Sequence, residues 1–284
     1  MVDGYADQPT SRFVEAHGVQ IHYQEKGQGD PIIFLHGGGP GATGWGNFQR
    51  NMDVFAQTNR AITLDFPGFG KSDVKPEGEI LPDFYVEVVI AFLKALGIGK
   101  AHFVGNSLGG LVSLKIALDH PQLVDRLVLM GTGGGYPVFT PFPTTGLKML
   151  FSFYDPPGPS MELLRQFIQQ FVYDPSAIPE SFYEERMKAA LDPRIVANPP
   201  LRMHGPPSAT GDVWRDPRMT QLPHETLIVW GREDRVMPLD AAFILQKQIP
   251  LARLHILPKC GHWAMWERAE EFNALVGLFL NGGR

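Results

Sequence analysis

A single cysteine, Cys260, occurs in the 284 residues. No disulfide can form within the chain, and a reducing, cytoplasmic setting is the expectation. Long apolar runs are missing too: no stretch approaches the about 18 uncharged residues of a membrane-spanning helix. The opening MVDGYADQPTSR has neither a basic nor an apolar stretch, so no secretion signal is read there. Positive charge is scarce. Lys and Arg total 25 against 30 Asp and Glu, a net charge of −5, and no basic cluster offsets it, which argues against a nucleic-acid partner. The histidines show no ligand spacing and only one cysteine is available, so neither metal nor cofactor is expected. Internal repeats and low-complexity tracts are absent. What the chain has is a hydrophobic fraction of 44% with only 19% charged residues, enough for a sizeable core in one large domain. Its 31 glycines and 25 prolines imply many turns.

Val19, Ile21 and Tyr23 alternate with polar residues, the period of a half-buried strand. PIIFLHG (31–37), AITLDFPG (61–68), AHFVG (101–105), RLVLMG (126–131), LIVWG (227–231) and RLHIL (253–257) are short apolar runs that read as buried strands. Helical spacing separates them. Tyr85, Val89, Phe92, Leu93 and Leu96 share one face of Asp83–Leu96, and Gly97 is placed to end that helix. Further helices are expected over Leu111–Leu118, Asp240–Gln248 and Glu267–Leu280, the last with Phe272, Val276 and Phe279 on its stripe and Gly282 beyond it. Strands alternating with helices predict an α/β fold, a mostly parallel sheet covered on both faces. Residues 136–218 break the rhythm, with many prolines and three helix candidates. Ser160 can cap a helix carrying Leu164, Phe167, Ile168 and Phe171, and Ser181 with Glu184 forms a capping box opening another. The expectation is a core of 1–135 and 219–284 with a helical lid, 136–218, inserted between strands.

Gly105-Asn106-Ser107-Leu108-Gly109 matches G-x-S-x-G at a strand-to-helix junction, the context that motif requires. A serine hydroxyl is a weak nucleophile and needs a base, expected here in the chain order serine, acid, histidine. Of the nine histidines, His204, His224, His255 and His262 lie downstream as candidates. His204 falls in the insertion, His255 sits inside a strand and is expected to pack, and His224 precedes a strand. His262 follows the last strand, at the carboxyl end where chemistry gathers in such sheets, and is the base of choice. Asp234, after LIVWG, is the matching acid in preference to its neighbour Glu233. Asp65 precedes the serine and breaks the order. An oxyanion hole would combine the Leu108 N–H with an N–H of His36-Gly37-Gly38-Gly39-Pro40-Gly41. His36 itself reads as a packed, hydrogen-bonded residue. The signature G-x-x-x-x-G-K-S/T of a phosphate loop is absent.

The segments LHGGGPGATGWGNF (35–48), DFPGFGKSD (65–73), GNSLGG (105–110), GREDRVMPLD (231–240) and KCGHWAMWERAEEFN (259–273) resemble the α/β-hydrolases. Within that superfamily they are similar to the meta-cleavage-product hydrolases, which split a carbon–carbon bond in 2-hydroxy-6-oxo-hexa-2,4-dienoates. The resemblance covers nearly all of the core and is looser over residues 136–218. It implies Ser107, Asp234 and His262 as the catalytic triad and Gly38 with Leu108 as oxyanion donors. It implies Asn47, Asn106 and the insertion's Arg186 at the substrate's carboxylate and dienol end. Trp263 is implied beside the histidine, and Phe171 along the non-polar pocket. At 236 the chain has valine where family members acting on phenyl-substituted substrates can carry phenylalanine, implying a different pocket shape. A guanidinium suits a dianionic substrate because its donors fit a carboxylate; Arg165, Arg186, Arg194, Arg202, Arg215 and Arg218 are the candidates the insertion supplies. The implied partner is an anionic dienolate, with neither nucleic acid nor membrane, and the implied assembly is a homo-oligomer, dimer or larger. Acyl-serine and gem-diol routes both remain open. A carboxylesterase or lactonase would share the triad, and a non-catalytic ligand receptor could share the fold. Haloalkane dehalogenase and epoxide hydrolase chemistry would need aspartate at 107.

Overall fold

The computed structural model describes residues 11–76, 81–201 and 212–281. His204, Arg202 and Gly282, named above, lie outside them. The chain opens with β1 (Ser11–Ala16) and β2 (Val19–Lys26), then β3 (Pro31–Leu35), α1 (Gly44–Phe55), β4 (Arg60–Leu64) and α2 (Asp83–Ala95). There follow β5 (Ala101–Asn106), α3 (Leu108–Asp119) and β6 (Val124–Met130). Four helices come next: α4 (Thr145–Ser152), α5 (Met161–Phe171), α6 (Glu180–Ala190) and α7 (Pro193–Ala197). The chain then returns through β7 (Thr226–Gly231), α8 (Leu239–Gln248), β8 (Ala252–Leu257), α9 (Ala264–Glu267) and α10 (Ala269–Asn281).

One sheet holds all of these strands in the order β1-β2-β4-β3-β5-β6-β7-β8. β1 and β2 pair antiparallel, as do β2 and β4, and every later pairing is parallel. The apolar runs explain the parallel part, because a strand covered on both faces has no polar side to alternate. In β3, Phe34 packs on Phe48 and Phe55 of α1, while Leu35 lies against Gly109 of α3. Successive residues point to opposite faces, so α1 and α3 cover opposite sides of the sheet. β4 and β5 flank β3 on either side, and the loops leaving β3 and β5 diverge there. A crevice opens at such a switch point.

Some expectations shift. The capping box does not open α6: Pro179 is its extended N-cap (φ −69°, ψ 151°) and Ser181 falls inside the first turn. The ring of Pro179 fixes its φ, and its carbonyl accepts from Phe182 N–H at 3.0 Å, so the helix starts here without a side-chain cap. The final helix is broken. α9 ends at Glu267, Arg268 leaves helical geometry (φ −124°, ψ 45°), and α10 begins at Ala269. Trp263, Met265 and Trp266 are buried, and the Glu267 carboxylate accepts from backbone N–H groups of two other segments, so tertiary partners fix this turn separately from α10. His255 lies in β8 as expected but is not packed away: its side chain is 43% exposed, with Nε2 3.7 Å from Glu271.

Candidate active site

β5 is buried along its length and ends at Asn106. Ser107 then takes φ 53°, ψ −110°, a state that costs a non-glycine residue about 1–3 kcal/mol and persists only under constraint. Its N–H donates to the Met130 carbonyl at 2.8 Å, and its own carbonyl accepts from Leu111 at 3.0 Å and Gly133 at 3.2 Å. The flanking glycines are required by space. A Cβ on Gly105 would lie 2.4 Å from the Gly109 oxygen, and one on Gly109 would lie 2.0 Å from the Leu35 oxygen. Strand and helix meet so closely that the serine is left raised on the turn at the N-terminus of α3.

His262 stands on the loop after β8 and Asp234 on the loop after β7. His262 Nδ1–H donates to Asp234 Oδ2 at 2.8 Å, and both side chains are buried. Asp234 Oδ1 accepts from the N–H groups of Val236 (2.8 Å) and Met237 (2.9 Å), which fixes the carboxylate's direction. With Nδ1 carrying the proton, Nε2 bears the lone pair; it is buried and has no hydrogen-bond partner among the described residues. Asn106, next to Ser107, donates to the His262 carbonyl at 3.2 Å, joining the serine turn and the histidine loop. Glu233 turns away, pairing with Arg232 at 2.6 Å.

The loop after β3 lies against the turn that carries Ser107. A Cβ on Gly38 would lie 3.5 Å from Leu108 Cδ2 and one on Gly37 3.4 Å from Ser107 Cβ, so the two expected N–H sources are neighbours. His36 is structural, as anticipated: Nδ1–H donates to the Gly37 carbonyl at 2.7 Å and Nε2 accepts from Phe66 N–H at 2.9 Å. Burial pushes its pKa down to about 4, against the raising effect of the Asp65 charge. Asp65 is spoken for, accepting from His22 Nδ1 (2.8 Å), Gly44 N–H (2.8 Å) and Lys71 N–H (3.0 Å). Burial alone would raise this carboxyl, but the His22 bond and charge hold it below its ordinary value.

Burial selects among the arginines. Arg165 pairs with Glu180, Arg194 with Asp192, Arg215 with Asp212, and Arg218 with Asp216 and Asp119, all at the surface. Arg186 is 5% exposed. Its Nε donates to the Pro40 carbonyl at 3.0 Å, and its guanidinium lies 5.1 Å from the Trp263 ring and 5.5 Å from the Phe182 ring. A Cβ on Gly39 would sit 2.9 Å from an Arg186 nitrogen, so α6 lowers a cation directly onto the loop after β3. Phe171, at the end of α5, stacks edge-on against His262 (4.9 Å) and tilts over Trp263 (5.3 Å). Asn47 is buried in the first turn of α1. Val236 is fully buried, and a Cβ on Gly146 of α4 would lie 2.9 Å from its methyl. A cavity of about 360 Å³ adjoins the loop after β3, lined by Gly38, Pro40, Phe69, Leu150, Tyr154 and Leu201 among others.

Two contributors escaped the sequence reading. Gly131, just past β6, has φ 50°, and a Cβ there would lie 2.5 Å from the His262 ring. A glycine closing an apolar strand beside the motif strand was the available signal. Glu267 accepts from Gly261 and Tyr173 N–H groups; nothing in the local sequence marks it.

A mostly parallel sheet, a strained serine between strand and helix, and a buried His–Asp pair at the ends of the last strands define an α/β-hydrolase. A family model described as the alpha/beta hydrolase fold matches residues 30–269. The chain is 43% identical over 263 residues to a 2-hydroxy-6-oxo-6-phenylhexa-2,4-dienoate hydrolase of Comamonas testosteroni, covering 92% of this chain and 91% of that protein. It is 40% identical to a 2-hydroxy-6-oxononadienedioate/2-hydroxy-6-oxononatrienedioate hydrolase of the same organism, covering 96% and 97%. A solved meta-cleavage product hydrolase from Pseudomonas fluorescens IP01 superposes with a TM-score of 0.83 at 32% identity, over 96% of this chain and 98% of that one. The chain belongs to the α/β-hydrolase fold family and, within it, to the meta-cleavage-product hydrolases.

Proposed function

We propose that this protein hydrolyses the C5–C6 bond of a 2-hydroxy-6-oxo-hexa-2,4-dienoate. The observation that carries the reading is Arg186, a buried guanidinium held on the oxyanion loop between aromatic rings. A neutral ester has no use for a desolvated cation there, whereas a dienolate carboxylate does. Asn47 and Asn106 are assigned to the same end of the substrate, and Phe171, Trp263 and Val236 to its walls. Residues 136–218 act as the lid that brings Arg186 and Phe171 over the core.

The reaction begins with a proton delivered to C5, with His262 taking part, so that the dienol becomes a ketone and carbon becomes an acceptable leaving group. Ser107, its proton taken by His262 Nε2, attacks the C6 carbonyl. Gly38 and Leu108 N–H groups stabilise the oxyanion; losing one such donor typically costs about 10²–10³ in turnover. The C5–C6 bond breaks, its electron pair passes along the chain to the C2 oxygen, which takes up a proton, and a 2-hydroxypenta-2,4-dienoate leaves with C5 as its terminal methylene. Water activated by His262 then frees the carboxylic acid from the serine. Neither metal nor cofactor has a part in this scheme.

The lone buried Cys260 fits a reducing cytoplasm, and no helix of the described residues is long and apolar enough to cross a membrane. Exposed Tyr136, Val138 and Phe139 are suited to contact between copies in a homo-oligomer, dimer or larger.

The test is spectrophotometric. Purified protein is mixed with 2-hydroxy-6-oxohepta-2,4-dienoate and with its 6-phenyl analogue, beside p-nitrophenyl acetate, with Ser107→Ala as control. Fast bleaching of a dienolate, lost in the variant and far exceeding ester turnover, is the expected result. Efficient ester turnover with both dienolates untouched would make the protein an esterase.

A further inference from the structure

The backbone following α5 lies directly on the loop that carries His262. His262 N–H donates to the Phe171 carbonyl at 2.6 Å. A Cβ on Gly261 would lie 2.5 Å from that same oxygen and 2.9 Å from Val172 Cα, so the two main chains touch only because residue 261 is glycine. Glu267 closes the contact. One carboxylate oxygen accepts from Gly261 N–H at 2.8 Å, and the other from Tyr173 N–H at 2.6 Å. From the acid loop, Arg235 donates to the Gln169 carbonyl at 3.0 Å. The end of α5 is thus held by both loops that carry the His–Asp pair.

We propose that Glu267 is a positioning residue that makes the lid and His262 one mechanical unit, so that the histidine is set for reaction only when α5 is seated over the substrate. The inference rests on the reading of the Ser107–His262–Asp234 triad and the lid given above. Phe171 connects the parts. Its carbonyl takes the His262 N–H, while its ring faces the His262 imidazole and the Trp263 indole that lies against Arg186. An acyl group pressing on Phe171 therefore bears on the segment that holds the histidine. A carboxylate suits the clasp because it offers an acceptor to each N–H at once. Its surroundings favour a labile charge. Burial and the Asp234 charge raise the Glu267 pKa to about 7 in spite of the N–H groups of Tyr173, Gly261 and Trp263. The other titratable groups nearby are Glu233 on the acid loop, Arg268, His262, the Tyr173 phenol, and the Cys260 thiol, which burial and the Glu267 charge push up.

Glu267→Gln keeps the shape but leaves one acceptor, and its NH₂ then confronts the other N–H. The readout is the kcat ratio between p-nitrophenyl benzoate, whose phenyl ring is assigned to the Phe171 wall of the pocket, and p-nitrophenyl acetate, whose acyl group carries only a methyl. Neither ester titrates, so the ratio isolates the enzyme. The ratio is expected to fall at least about tenfold in the variant, with kcat rather than KM carrying the loss. In the wild type it should fall from about pH 8 to about pH 6, and in the variant it should stay flat. Glu267→Asp, which keeps the charge and shortens the reach, should show the same bias to a smaller extent and serves if Glu267→Gln does not fold. Equal losses on both esters, no loss on either, or a wild-type ratio indifferent to pH would overturn the proposal. Wild-type turnover of the dienolate, measured alongside, decides the functional reading separately.

Discussion

Gly131 shows how tightly the histidine is housed. A Cβ at this residue would press on the imidazole at 2.5 Å from a position with φ 50°. Gly131→Ala should therefore lower kcat by about 10²-fold through a displaced His262, with the far-ultraviolet circular dichroism unchanged. Loss of secondary structure in parallel would show that the glycine serves the fold instead. Two buried groups give stability opposite dependences on pH. His36 falls from its ordinary 6.5 to about 4 in the fold. Between those values the unfolded chain binds more protons, so acidification destabilises. Glu267 rises from 4.5 to about 7; between those values the folded chain binds more protons, so acidification stabilises. From about pH 7 to about pH 5 each effect is on the order of 2 kcal/mol, and they oppose each other. Urea unfolding should find His36→Gln gaining stability relative to wild type over this range and Glu267→Gln losing it. One common slope for all three proteins would contradict these environments. Arg186→Gln should reduce dienolate turnover about 10–100-fold more than ester turnover, the worth of a charged hydrogen bond, and equal losses would remove the clamp from the account.

At the scale of elements, α5 was legible because its evidence is local. Ser160 accepts from Leu163 N–H at 3.1 Å, and Leu164, Phe167, Ile168 and Phe171 all face inward. Ser160→Ala should cost about 1 kcal/mol in unfolding free energy, and no change in the urea midpoint would mean the cap is idle. The start of α6 and the break at Arg268 were not legible. Each depends on something distant or competing: Pro179 overrides a sound capping box, and Glu267 is drawn to N–H groups from other segments. His255 was misjudged for a related reason. β8 is the sheet's edge strand, and strand order is not written in the strand's own pattern.

Across the whole molecule, the motifs that mark the site are short because each is a turn at the end of a parallel strand. The chain brings 36–41, 105–109, 234 and 262 together by sheet order alone, and local spacing was enough to find them. Choosing Arg186 over its neighbours from residues alone was beyond that spacing, since the insertion's arginines look alike until burial separates them. There the family resemblance, not composition, singled out Arg186, and the structure shows it buried. The clasp at Glu267 had no sequence signal, because its partners are backbone groups.

The most direct test of the account is the product balance from one dienolate. Bleaching alone can arise from ketonisation, so the products of a complete reaction with 2-hydroxy-6-oxohepta-2,4-dienoate should be separated and quantified. Carbon–carbon hydrolysis should yield one equivalent of acetate and one of 2-hydroxypenta-2,4-dienoate for each substrate consumed, and neither with Ser107→Ala. Bleaching without release of acetate would contradict carbon–carbon hydrolysis at this site.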